Sequence, residues 1–223
     1  MARKISRETS LDLAMTLFWD HGFRGTSMEM LTAALGVEKP SIYSNFGSKK
    51  ELYLEALSQY RSMLMERVSR DLQSGTRARE GLDRLISSLL APSNAAIRRG
   101  CLATNSALEM ADLDADVRAL VKTTFADLLA ALTQAIRRAQ QEGDIRDDRS
   151  AASLAQFVAS CFGGARVLEK SSIDTSHWAE TGRLILSVLD PPKTSRRSAG
   201  AGSASRGSSR AKSVGRPQKR SRG

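Results

Sequence analysis

Apolar residues recur at three- and four-residue steps along most of the chain, and strand-like alternation bounded by turn residues is absent over any convincing length. The expected fold is therefore all-α. The first helix is predicted from Arg7 to His21, with Ser6 as its cap, Leu13, Ala14, Leu17 and Phe18 as its apolar stripe, and Gly22 as its stop. Thr26 to Glu29 reads as a capping box in which the Thr26 hydroxyl takes the Glu29 N–H. A short helix then runs to about Leu35, Gly36 turns the chain, and Pro40 sits in the first turn of a second short helix. Ser48 to Glu51 is a second capping box and opens a long helix to about Leu72. Further helices are expected at 77–90, 102–110, 114–142, 150–169 and 176–189, separated by Gly75, Pro92, Gly100, Gly143 and the stretch Ser171–Thr175.

Two short helices joined at Gly36 have the spacing of a helix-turn-helix. Leu31, Leu35, Val37, Ile42 and Phe46 would lock them against the first helix. That leaves Lys39, Ser41, Tyr43, Ser44 and Asn45 exposed on the second, a set of short polar groups, an aromatic hydroxyl and a cation. Such a face suits a groove lined with donors, acceptors and phosphates. An ordinary helical hairpin with a solvated face has the same periodicity.

Charge changes the picture at the C-terminus. Of a formal net charge of +10, nine units lie from Asp190 onward, where ten Lys/Arg face one acidic residue. After Pro191-Pro192 the composition turns to Ser, Gly, Ala, Arg and Lys, so little of it can be buried and 191–223 is expected to be a disordered basic tail. A near-neutral body with a cationic tail points to a polyanion partner. Within the tail, Gly215-Arg216-Pro217 between basic residues resembles the core of an AT-hook, with Val214 where that motif carries Arg.

Other chemistry is sparse. Cys101, Cys161, His21 and His177 show no metal-ligand spacing, and no phosphate-cradling glycine loop or paired catalytic carboxylates stand out, so neither an enzyme nor a cofactor is expected. No uninterrupted apolar run of membrane-spanning length occurs, and the expected location is the cytoplasm, on the nucleoid when DNA-bound.

The run Ala14 to Phe23, then Thr26-Ser27, then Leu31 to Phe46, then Ser48 to Leu52 closely resembles the DNA-binding domain of the TetR/AcrR family of bacterial repressors. Gly100 to Glu109 is similar to a segment of some TetR-type effector domains. The resemblance implies a three-helix DNA-reading head at 1–50, a helical effector-binding and dimerisation domain at 51–190, and release from a palindromic operator by a small molecule. It implies phosphate contacts from Tyr43, Thr26, Ser27 and Lys49. The second helix is short enough that about four side chains can reach bases, with Lys39, Ser41, Ser44 and Asn45 the candidates beside Pro40, and the basic arm Arg3-Lys4 is expected to follow the backbone or enter the minor groove. Glu38 departs from the family's usual Ser or Thr cap.

Three further expectations follow. The segment 152–165 is apolar on more than one face, so Leu154, Phe157, Val158 and Cys161 are candidates for a dimer interface with Leu184, Ile185 and Val188 of the last helix. An effector pocket is placed near Met63, Leu102, Ala107, Met110, Phe125, Leu129 and Phe162. Cys101, at a helix start, is a candidate thiol sensor, against the plainer reading of a small buried side chain. A competing function class is an architectural nucleic-acid binder acting mainly through the basic tail.

Overall fold

In a computed structural model the described residues are 6–91, 99–171 and 176–192, all within one compact unit, Met1–Pro192. They form nine helices: α1 (Arg7–Gly25), α2 (Met28–Leu35), α3 (Lys39–Phe46), α4 (Lys49–Leu72), α5 (Ala78–Leu89), α6 (Leu102–Met110), α7 (Ala115–Gln141), α8 (Ala151–Lys170) and α9 (Trp178–Leu189). The all-helical expectation holds, and helix limits read from caps and glycines fall within about two residues of these except at the end of α1. The arm Arg3-Lys4, Pro92 and the tail motif Gly215-Arg216-Pro217 lie outside the described residues.

Most helix starts have a local cause. Ser6, Ser27, Ser48, Asp114 and Ser150 each accept a backbone N–H of the first turn, satisfying donors that the helix cannot. The box expected at Thr26 is one residue out. Thr26 is fully buried and its hydroxyl donates to the Gly22 carbonyl at 2.7 Å, so Ser27 caps α2 instead, accepting the Met30 N–H at 3.1 Å. Gly22 does not end α1. It kinks it, at φ 75°, and one more turn runs to Gly25.

Two apolar clusters hold the unit together. One gathers α5, the C-terminal part of α7, α8 and α9 around residues such as Leu82, Leu132 and Val158. The other joins α1, α2, α3 and the first half of α4, but it is closed by Leu102 and Ala103 of α6 and Val117 of α7. The three N-terminal helices thus share their core with the larger body. By length and a mean hydropathy of 1.3 over an 18-residue window, α7 and α8 each resemble a membrane span; both contribute their apolar stripes to these clusters.

The kink is fixed from outside α1. The Glu109 carboxylate of α6 accepts the Phe23 N–H at 2.9 Å and the Arg24 N–H at 2.7 Å. A Cβ added at Gly22 would lie 2.5 Å from Glu109 Oε2. Gly22→Ala is therefore expected to destabilise the fold by about 1–3 kcal/mol, combining the left-handed backbone penalty with displacement of that carboxylate. Urea unfolding against wild type measures it, and an unchanged midpoint would refute the clamp.

Candidate DNA-binding face and ligand cavity

α2 and α3 meet at Gly36, whose left-handed backbone (φ 62°) lets its N–H reach the Thr32 carbonyl. Leu31 and Leu35 from α2 and Ile42 and Phe46 from α3 turn inward. Pro40 occupies the first turn of α3, and Glu38 stands at its N-cap without a side-chain capping bond. Lys39, Pro40, Tyr43, Ser44 and Asn45 are exposed, Ser41 and Ser27 half-buried. Tyr43 stands 48% open although it is aromatic, so its ring is available to an outside surface. The nominated polar residues of α3 therefore share one accessible region, while Thr26, with its hydroxyl turned inward, is removed from it.

Several of these groups have internal partners that the sequence did not suggest. Asn45 donates to the Ser41 carbonyl at 2.7 Å and Ser44 to the same carbonyl at 3.0 Å, so both side chains lie along their own helix. Lys49 is half-buried with its ammonium 4.5 Å above the Phe23 ring, and burial lowers its pKa. Lys39 Nζ lies 2.6 Å from Glu29 on α2. That pair holds the Glu29 carboxyl at a pKa of about 2 and raises Lys39, chiefly through the hydrogen bond between them. Ten residues separate the two on different helices, so no local pattern announced the pair.

The body contains a cavity of about 340 Å³ between α1, α4, α6, α7 and α8, with the end of α5 also on its wall. Trp19, Tyr60, Phe125 and Phe162 supply aromatic walls, with Leu64, Leu89 and Leu128 beside them. Polar atoms come from Arg67, Arg99, Arg166, Glu169, Thr104 and Cys101. Phe125 and Phe162 were expected there; the other five nominees are placed elsewhere. Leu102 and Met110 are buried in the head's core with Ala107 packed against it, Met63 is 49% exposed, and Leu129 is half-buried off the cavity. In sequence an apolar residue reads alike whether it lines a cavity or fills a core, and no periodicity singled out Trp19 or Tyr60. Trp19 Nε1 donates to the Gly100 carbonyl at 3.3 Å, which ties α1 to the start of α6. Cys101 caps that start and takes a hydrogen bond from the Tyr60 hydroxyl at 3.2 Å; burial is the main cause that raises the Tyr60 pKa well above its usual value.

α8 has two apolar faces with different fates. Leu154 and Val158, with Ile185 of α9, are buried in the chain's own core, contrary to their nomination for a dimer interface. The reason is registry: 151, 154, 155, 158, 162 and 165 form one stripe that packs inward. Phe157, Leu184 and Val188 remain exposed, with Cys161 half-buried on the same side of α8 as Phe157.

A helix-turn-helix mounted on a larger helical body defines a DNA-binding transcription regulator. Residues 11–56 match the bacterial regulatory proteins of the tetR family and residues 78–183 the tetracyclin repressor-like C-terminal domain. The chain belongs to the TetR family of transcription regulators, and it is not an enzyme. It is 25% identical over 197 residues to the uncharacterised HTH-type regulator YezE of Bacillus subtilis, covering 85% of this chain and all of that protein. It is 27% identical over 161 residues to the repressor ComR of Escherichia coli, covering 68% of this chain and 73% of that one. A cysteine mutant of the TetR family regulator CifR, complexed with 26 bp operator DNA, superposes with a TM-score of 0.75 at 28% identity, covering 85% of this chain and 99% of that one.

The Glu29–Lys39 pair generates a prediction. Glu29→Gln removes the anion that holds Lys39 and that opposes phosphates, so affinity for unrelated DNA should rise severalfold and the salt slope should steepen by about one counterion. Fluorescence anisotropy over a salt series reads both, and an unchanged slope would show that the pair does not face DNA.

Proposed function

We propose that the chain is a homodimeric repressor that binds a near-palindromic operator through α3 and is released from it by a small organic effector held in the α1–α4–α6–α7–α8 cavity. The observation that carries the reading is that the cavity and the DNA head share parts: Trp19 of α1 is both a cavity wall and, through Gly100, an anchor of α6, while α6 at its other end clamps α1 through Glu109. A ligand that fits one arrangement of these helices better than another shifts the head with it. The ComR relative is described as a repressor and the CifR neighbour was captured on operator DNA; both support the reading.

Dimerisation is expected through the exposed stripe of Phe157 on α8 and Leu184 and Val188 on α9, since paired helices of this kind bury apolar faces across a two-fold axis. Leu184, at 61% exposure, contributes little to the monomer core, so Leu184→Glu should yield a folded monomer. Light scattering with circular dichroism tests it; a native dimer from Leu184→Glu would place the interface elsewhere.

In the DNA complex Lys39 donates to guanine O6 or N7 and Tyr43 grips phosphate. The test is a binding-site selection at fixed salt with the full chain, a chain ending at Pro192 and Lys39→Ala. A palindrome with half-sites about one helical turn or more apart is expected, and Lys39→Ala should cost about 1–3 kcal/mol at particular base pairs and relax preference there. If neither the full nor the shortened chain prefers a palindrome, an architectural role through the basic tail replaces the repressor reading.

A further inference from the structure

The cavity combines aromatic faces with a wall that carries more guanidinium groups than carboxylates. Three guanidinium groups line it, from Arg67, Arg99 and Arg166, against one carboxylate, Glu169. Arg166 Nη1 lies 2.5 Å from Glu169, which is 2% exposed, so these two charges offset one another within the wall. Arg67 donates to the Ser88 carbonyl at 2.5 Å, with Asp71 4.0 Å from its Nε. Arg99 is differently placed. Its Nε is 2.5 Å from the Asp20 carboxylate but too poorly aligned for a hydrogen bond, and that buried nitrogen has no hydrogen-bond partner among the described residues. Its guanidinium carbon lies 5.9 Å from the centre of the Trp19 ring.

That combination selects among ligand classes. Four aromatic walls would suit an organic cation, but three guanidinium groups around a confined space oppose one. Asp20 and Asp71 stand beside Arg99 and Arg67 without lining the cavity, and a neutral apolar molecule would give the guanidinium edges on its wall no acceptor. A carboxylate would accept from Arg99 in the planar, two-pronged geometry that guanidinium offers, and its hydrocarbon part would lie against the aromatic faces. We propose that the cavity takes a small amphipathic organic anion, an aryl- or alkyl-carboxylate, with Arg99 as the group that binds its carboxylate. This rests on the cavity being the effector site.

The experiment uses the full chain and two matched sets of probes: phenylbutyrate, phenylbutyramide and phenylbutyltrimethylammonium, and octanoate with its amide and its trimethylammonium counterpart. Calorimetric titration reads affinity, and anisotropy on selected operator DNA reads release. At least one carboxylate should bind about tenfold or more tightly than its own amide, the ammonium should be weakest, and the same order should govern release. Arg99→Gln should bring the carboxylate down to the level of the amide and leave the amide within about twofold. The control is Arg61→Gln, which removes a guanidinium of α4 that bonds Asp127 and does not line the cavity; it should fold and retain the preference for the carboxylate. An amide or ammonium that binds as well as its carboxylate, or a preference untouched by Arg99→Gln, overturns the anion assignment and leaves the effector reading standing. If no probe of any charge binds while operator binding is intact, both fall together.

Discussion

A carboxylate on α6 holds the DNA head to the rest of the molecule. Gly22 adopts a left-handed backbone in the last turn of α1, and the two amides after it point to Glu109 instead of to carbonyls of their own helix. An amide left bare at a kink costs free energy comparable to a lost hydrogen bond, so the kink and the carboxylate require each other. The residues around them reinforce the joint. Tyr53 of α4 shares a hydrogen bond of 2.7 Å with Ser106 of α6, and burial raises its pKa to about 12, so it stays protonated. Lys50 bonds Asp114 and Asp116 at the start of α7. Phe18, Phe23 and Tyr53 pack ring against ring beneath these contacts.

The consequence is mechanical. α6 spans nine residues, about 13 Å of helix, and both its ends are committed. Its start is tied to Trp19 through Gly100 and borders the cavity, and its last turn carries Glu109 against the kink. Because Leu102 and Ala103 also belong to the head's apolar cluster, α6 cannot shift without repacking that cluster. A ligand gains influence over the head only to the extent that it binds one packing of these helices better than another. The geometry supplies the contacts through which such a difference would act.

Much of this was legible in the sequence, and the parts that were not have identifiable causes. Helix limits were readable because Ser6, Ser48, Asp114 and Ser150 cap locally and Gly36 turns the chain within its own neighbourhood. The cap at Thr26 was misread because two hydroxyl residues are adjacent there, and only the position of the Gly22 carbonyl decides which one turns inward. The exposed face of α3 followed from its period, but the partners of Lys39, Lys49 and Asn45 did not, since they come from another helix, from burial, or from a rotamer. Of the cavity, Phe125 and Phe162 were found and Trp19, Tyr60 and the three arginines were missed. Periodicity assigns a residue to a face; it carries no information on whether the opposite wall touches it.

α8 shows where a sequence reading and a chain's own packing diverge. A helix apolar on more than one side needs more than one neighbour. Within the chain, α7 and α9 cover the stripe through Leu154, Val158 and Phe162. Phe157, Leu168, Leu184 and Val188 stay open, on two consecutive helices. Single exposed apolar residues are ordinary on a soluble protein, but several large ones on neighbouring helices form the kind of patch that an isolated chain rarely leaves in water. The inward stripe is already satisfied and gives no reason to associate. The requirement for a second surface therefore falls on the outward residues alone, and Gly164 on the same side of α8, with no neighbouring atom within 4 Å of a Cβ placed on it, leaves room for another helix backbone to approach.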